Sequence, residues 1–334
     1  MVRFIEIKNK FGTEVTLCTT GASIYDIKTK DKSGVLESIL YTPVNMADFP
    51  YDNSYFGKTI GRTGGRISNS RFRLNGKEYN IISNDPNGLH GGKDGLSFKC
   101  FNYVENNEKD YSEVVFTYDS PDMEAGYPGN LKLTVTYRLF NTENKLTVRF
   151  EGESDKDTLL NLSNHSYFNL SGNAKRKILD QKLYMNSSKM ERIECLIPQE
   201  IVDCKKIYSF KQEHKIGEYL FDDEIINNTN GYDFPYIFDE CNKNIDNIIL
   251  SDDESGRVMK IKTTYPVVVV YTCNYVGDEI MNNNKIAEPY NAICLECMYH
   301  PNTVNSPFIK EKNDILKKGD KYDDTIEYYF EVKN

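Results

Sequence analysis

Apolar and polar residues alternate with a period of two along most of this chain, the pattern of half-buried β-strands. In the segment 131–140, Leu131, Leu133, Val135, Tyr137 and Leu139 fall on one side. The polar run Asn141-Thr-Glu-Asn144 follows, and 145–150 alternates again, so 131–150 predicts a hairpin. The segment 72–79 predicts a second hairpin, turning at Asn75-Gly76, a dipeptide that accepts the positive φ values of a tight hairpin turn. Residues 3–17 predict a third, turning near Phe11-Gly12. Residues 266–271 read as a buried strand, and 325–332 as a strand that draws the end of the chain into a sheet. Helical periodicity is weak; only a piece around 214–220 fits a turn or two. No linker, charge block or repeat divides the 334 residues. The pattern predicts one all-β domain over 1–334, with two large antiparallel sheets packed face to face as a β-sandwich.

Charge narrows the possible partners. A net charge of −9 and a pI near 5.2 argue against nucleic acid, which needs clustered Lys and Arg. The one basic cluster, Lys175-Arg-Lys177, reads as a solvated turn. No apolar run is long enough to span a membrane, and the first residues lack the apolar core of a signal peptide. The expectation is a cytoplasmic protein whose eight scattered cysteines are reduced thiols. Cys294-Leu-Glu-Cys297 has the spacing of a redox or zinc motif. It lies in a predicted strand over 292–297, where positions three apart face opposite sides, so the two sulfurs are not expected to share a metal.

Candidate chemistry gathers in a few places. The segment 161–170, Asn-Leu-Ser-Asn-His-Ser-Tyr-Phe-Asn-Leu, reads as a strand. Leu160, Leu162 and Asn164 take one face; Asn161, Ser163 and His165 take the other. That is either an ordinary half-exposed strand or one wall of a cleft for a polyhydroxylated ligand. His90 sits among glycines in Gly88-Leu-His-Gly-Gly92, a loop able to approach a ligand closely. His214 reads as exposed and inert, and His300 as a loop residue without a clear partner. Glu296 shares a strand face with Ala292 and Cys294; a carboxylate there is costly unless it is paired or functional. Asp233 and Arg66 fall in turn contexts from which side chains reach ligands. The glycines of 61–66 lack the spacing and the following helix of a dinucleotide site.

Five motifs occur in order: Leu89-His-Gly-Gly92, Gly126-Tyr-Pro-Gly129, Asn164-His-Ser-Tyr-Phe-Asn-Leu170, Gly231-Tyr-Asp233, and Cys294-Leu-Glu296 followed by Pro301-Asn-Thr-Val-Asn305. Together they make the chain similar to the aldose 1-epimerase (galactose mutarotase) family over about residues 10–332. The resemblance implies a large antiparallel β-sandwich. It implies Glu296 as catalytic base, His165 as catalytic acid, His90 as a second active-site histidine, and Arg66 and Asp233 as sugar-binding residues. Gly65, Phe234, Cys297 and Met298 depart from the family's usual asparagine, histidine, threonine and glutamine. They are expected to touch the pocket and to weaken discrimination among hexoses, with Phe234 as a platform for the sugar's apolar face.

The implied reaction needs C1–OH deprotonated and the ring oxygen protonated, so that the ring opens, rotates and closes on the other face. One carboxylate and one imidazolium suffice, with no cofactor and no metal. Mutual attraction is expected to keep Glu296 ionised and His165 protonated. The alternatives are an epimerase of a hexose 6-phosphate, with Arg62 and Arg66 holding the phosphate, and a carbohydrate-binding protein without catalysis. The expected partner is a small free sugar, and the sequence specifies no oligomeric state.

Overall fold

A computed structural model describes residues 1–241 and 244–333. Its largest element is a nine-stranded antiparallel sheet. In spatial order it runs His214–Lys215, Lys182–Met185, Ile248–Ser251, Arg257–Thr263, Lys321–Val332, Lys145–Ser154, Leu131–Phe140, Tyr111–Ser120 and Asn102–Asn107. A six-stranded antiparallel sheet runs Tyr167–Phe168, Ile293–Met298, Val267–Tyr271, Asp233–Phe238, Ser187–Glu194 and Ile197–Asp203. One apolar core lies between the two sheets, with Val135, Tyr137 and Tyr328 from the first and Phe234, Val270 and Leu295 from the second. A smaller four-stranded sheet, Phe4–Lys8 to Leu36–Ser38, adds Ile5, Val15 and Ile27 to that core. No helix among the described residues is long and apolar enough to cross a membrane.

The predicted hairpins are present. Leu131–Phe140 pairs with Lys145–Ser154, and the five alternate residues from Leu131 to Leu139 are all buried. Arg71–Leu74 pairs with Lys77–Asn80 across Asn75 and Gly76, whose φ values are 51° and 79°. Phe4–Lys8 pairs with Glu14–Cys18.

The short helical piece expected around 214–220 is one 3-10 turn, Ile216–Glu218, after a two-residue strand; the α-helix comes later, at Asp223–Thr229. Two expectations fail. His214 is not an exposed, inert side chain: its ring stacks on Phe210 at 4.6 Å and its Nε2 bonds the Ser209 carbonyl. The segment 161–170 is not one strand with a wet face. It is entirely buried and broken into Ser163–Asn164 and Tyr167–Phe168. Its asparagines serve backbone rather than ligand. Asn161 exchanges two hydrogen bonds with the Tyr299 backbone, Asn164 donates to the Gly57 carbonyl, and Asn169 donates to the carbonyls of Arg176 and Asn291. Such side-chain bonds to backbone compete with regular ladders and interrupt them.

Candidate active site

The six-stranded sheet is buried on both faces along Val267–Tyr271 and Ile293–Met298. Period-two alternation sends Ile293, Leu295, Phe234, Val268 and Val270 into the main core. It sends Cys294, Glu296, Val269, Tyr271 and Asp233 to the opposite face. There Val269 lies directly across from Glu296, and Tyr271 lies across from both Cys294 and Asp233. This face is the floor of a cavity of about 280 Å³, near the small end of ligand pockets (~300–1,000 Å³).

Loops from distant parts of the chain close the cavity. The His165 backbone is pinned on both sides, its N–H donating to the Lys58 carbonyl and its carbonyl accepting from Gly57 N–H. Its Nε2 then stands 3.3 Å from Glu296 Oε1. His90 lies against it, ring centroids 5.0 Å apart and nearly perpendicular. The glycines beside His90 seat the loop rather than admit a ligand: a Cβ on Gly91 would stand 1.9 Å from the Gly61 carbonyl oxygen. His90 is zipped to Gly65, its N–H donating to the Gly65 carbonyl and its Nδ1 accepting from Gly65 N–H. Arg66 enters from the same loop and is anchored by Asp85 at 3.6 Å. Asp233 opens the strand Asp233–Phe238, rather than lying in a turn as expected. All five expected site residues therefore line one cavity.

Burial dominates the electrostatics. It raises Glu296 well above the usual carboxylate range; the nearby Asp233 charge adds to this and Arg66 opposes it. Burial pushes His165 down to about 4. Burial thus favours a carboxylic acid facing a neutral imidazole over the expected ion pair. The two arrangements hold the same single proton and differ only in which side of the 3.3 Å gap carries it. Glu296 Oε2 is buried without a hydrogen-bond partner, so one carboxyl oxygen is left for a ligand. Burial also holds His90 well below its ordinary value.

Ligand atoms of His90, His165 and Glu296 all lie within 4.8 Å of one another, the composition of a metal site. Tautomer chemistry reads against that use. A backbone N–H can only donate, so Gly65 fixes His90 Nδ1 as an acceptor and leaves the ring proton on Nε2. A protonated nitrogen does not coordinate. Activity is accordingly expected to survive prolonged chelation unchanged. Loss on chelation with recovery on adding zinc would contradict this.

The family model described as aldose 1-epimerase matches residues 3–329. The chain belongs to the aldose 1-epimerase family. The galactose mutarotase of Sus scrofa is 31% identical over 95% of this chain and 91% of its own. Among solved structures, an aldose epimerase homologue from C. elegans superposes with a TM-score of 0.90 at 26% identity, covering 100% of both chains. A galactose 1-epimerase from Lactobacillus acidophilus superposes with a TM-score of 0.87 at 26% identity, covering 100% of this chain and 95% of its own.

Against that family background, the four departures are not equivalent. Gly65 lines the cavity at φ 71°. Met298 lies just behind, in an apolar cluster with Val269, Ile60 and Tyr55. Phe234 and Cys297 do not touch the pocket. Each follows a pocket-facing residue on its strand and so points into the main core, and Phe234 packs on Tyr208. The expected Phe234 platform is therefore wrong. The aromatic walls are Tyr55, Tyr167, Tyr271 and Tyr275, which the sequence reading did not assign. Tyr167 alone carried a signal, because it sits two residues from His165. Cys294 and Cys297 do face opposite sides, in separate clusters. All eight cysteines, which lie among the described residues, are free thiols.

Arg62 is no phosphate ligand. It is buried, and its guanidinium donates to Ser120 and to the carbonyls of Pro121, Pro128 and Gly129. The Gly126–Gly129 motif thus buttresses the loop that carries Arg66; Tyr127 bonds Thr63 from the same side. His300 has a partner after all: its Nδ1 is hydrogen-bonded to the carboxyl of the buried Glu191.

Proposed function

We propose that Glu296 and His165 carry out the interconversion of hexose anomers, the activity of the family to which the chain belongs. Glu296 acts as base and His165 as acid. The observation that carries this reading is the pair itself: a carboxylate oxygen and an imidazole nitrogen 3.3 Å apart on a buried pocket floor. O1 and O5 of a pyranose are bonded to the same carbon, so two groups set side by side reach both.

When a sugar fills the cavity, its hydroxyls and Arg66 favour the ionised pair, and the shared proton moves to His165 Nε2. Glu296 then takes the proton of C1–OH while Nε2–H delivers one to O5, and the C1–O5 bond breaks to leave the aldehyde. The products of that step are a protonated Glu296 and a neutral His165. That is the arrangement burial prefers, so the dry floor stabilises the opened stage. Rotation about C1–C2 and reversal of both transfers give the other anomer. General acid and base catalysis of this kind contributes ~10²–10⁴-fold per group. His90 donates from Nε2 to a sugar hydroxyl, and Arg66 and Asp233 fix the ring through paired hydrogen bonds.

The substrate is a free hexose, with galactose and glucose as the natural probes. Arg66 is the one cation among the described residues lining the cavity, and it shares the lining with the carboxyls of Asp233 and Glu296, a poor setting for phosphate. Anomer-resolved NMR across galactose, glucose and their 6-phosphates tests this. The free sugars should turn over with kcat/KM at least tenfold above the phosphates; preference for a phosphate would contradict the reading.

Asp233 gives the site a pH dependence. Burial pushes its carboxyl up to about 6, with Arg66 opposing. A hydroxyl donates to the carboxylate and not to an already protonated oxygen. Binding therefore weakens as pH falls through about 6, and KM should rise there. Asp233→Asn should show a higher KM without that rise. A wild-type KM that stays flat from neutral to acid pH would remove Asp233 from sugar binding.

A further inference from the structure

We infer that Cys294 is a positioning residue for the catalytic histidine: its sulfur accepts the Nδ1–H of His165 and thereby makes Nε2 the only nitrogen that exchanges protons. The inference rests on the acid–base reading above and goes beyond it. Glu296 and Cys294 are alternate residues on the strand Ile293–Met298 and face the same side. Between them stands the imidazole of His165, with Nε2 3.3 Å from Glu296 Oε1 and Nδ1 3.6 Å from Cys294 Sγ. The sulfur distance is an ordinary contact for so large an atom. One strand thus supplies partners to both nitrogens of the ring.

Besides its own backbone carbonyl, which raises its basicity, the remaining groups around this ring are His90, Tyr55, Tyr167 and Tyr271, with ring centroids at 5.0, 6.0, 5.0 and 6.4 Å. They hold the imidazole by packing. The hydrogen bond made by one imidazole nitrogen decides the state of the other. On the acid–base reading the proton that passes between Glu296 and His165 does so between Oε1 and Nε2, 3.3 Å apart. Nδ1 then keeps its own hydrogen, and Cys294 Sγ is the side-chain acceptor placed to receive it. A carboxylate at that position would raise the basicity of the ring and blunt it as an acid toward a weakly basic ring oxygen. A thiol is a weak acceptor and leaves the imidazolium acidic. Cys294 is fully buried, and burial raises its thiol far above the ordinary range, so it stays protonated and chemically inert.

Two measurements test this. In ¹⁵N-histidine NMR of the wild-type protein at neutral pH, His165 should carry its hydrogen on Nδ1. A hydrogen on Nε2 with a bare Nδ1 would overturn the inference whatever the activity. In kinetics, Cys294→Ala should lower kcat about tenfold with KM changed by less than about twofold. It should also move the alkaline limb of the kcat profile to lower pH, because the imidazolium that acts as the acid has lost an acceptor. Cys294→Ser should restore most of kcat and move that limb upward, since a hydroxyl accepts more strongly. An alanine variant with wild-type kcat and profile would contradict the inference, as would one that loses activity with an unmoved alkaline limb while serine fails to rescue. Failure of the underlying function reading would look different: the wild-type protein itself would not interconvert anomers.

Discussion

Glu296→Gln is expected to abolish anomer interconversion, lowering kcat by ~10²–10⁴-fold while sugar still binds within about fivefold of wild type. Glutamine keeps the shape of the side chain and its place on the strand Ile293–Met298, and removes only the ability to take a proton. The position is buried and Oε2 has no protein partner, so the amide displaces no structural contact. Burial already disfavours a charge at this position, so a neutral amide there should leave stability unchanged or raised. Steady-state polarimetry with calorimetric titration of galactose separates the two quantities. More than about a tenth of wild-type kcat in the variant would remove Glu296 as the base.

His165→Asn should be nearly as damaging, with kcat down by at least ~10²-fold, while His90→Asn should lose less in kcat and more in KM. The difference follows from what each ring can do. His165 faces Glu296 across 3.3 Å, within reach of proton transfer. His90 is locked by Gly65 N–H into a single tautomer with its hydrogen on Nε2, so it donates to a hydroxyl but does not cycle a proton. Parallel kcat and KM measurements on the two variants decide the assignment. Equal losses in kcat, or a larger loss for His90→Asn, would reverse the roles.

Much of the architecture is readable from period-two alternation, because each strand buries one face in a shared core. The hairpins at 131–150 and 72–79 follow from that and from Asn75-Gly76. Glu296 was legible for the same reason: a carboxylate on the Ala292–Cys294 face has no solvent to meet. The same rule, applied to Asp233 and Glu296, places Phe234 and Cys297 in the core, and the expectation that they touch the sugar overlooked it. The helix Asp223–Thr229 was missed although its ends are marked, by Asp222 accepting from Glu224 N–H and by Asn230 at φ 55°. Seven residues carry too little periodicity to reveal a helix by pattern. The tyrosine walls and the Asp85 anchor of Arg66 were not legible. Tyr55, Tyr275 and Asp85 arrive on loops far apart in sequence, Tyr167 and Tyr271 on separate strands, and nothing local distinguishes Tyr55 or Tyr271 from the other tyrosines among the chain's 24. In 161–170 the alternation left a half-exposed strand and a cleft wall both open, whereas the three asparagines bond backbone that the broken strand leaves without ladder partners.

The most direct test of the central claim follows the optical rotation of freshly dissolved α-galactose with catalytic amounts of the wild-type protein and of Glu296→Gln in parallel. The wild-type protein should speed the approach to anomeric equilibrium in proportion to its concentration, leave the final rotation unchanged, and need no added metal or cofactor. The variant should track buffer alone. A wild-type protein that leaves the spontaneous rate untouched, or a variant that matches the wild type, would contradict the assignment of this acid–base pair.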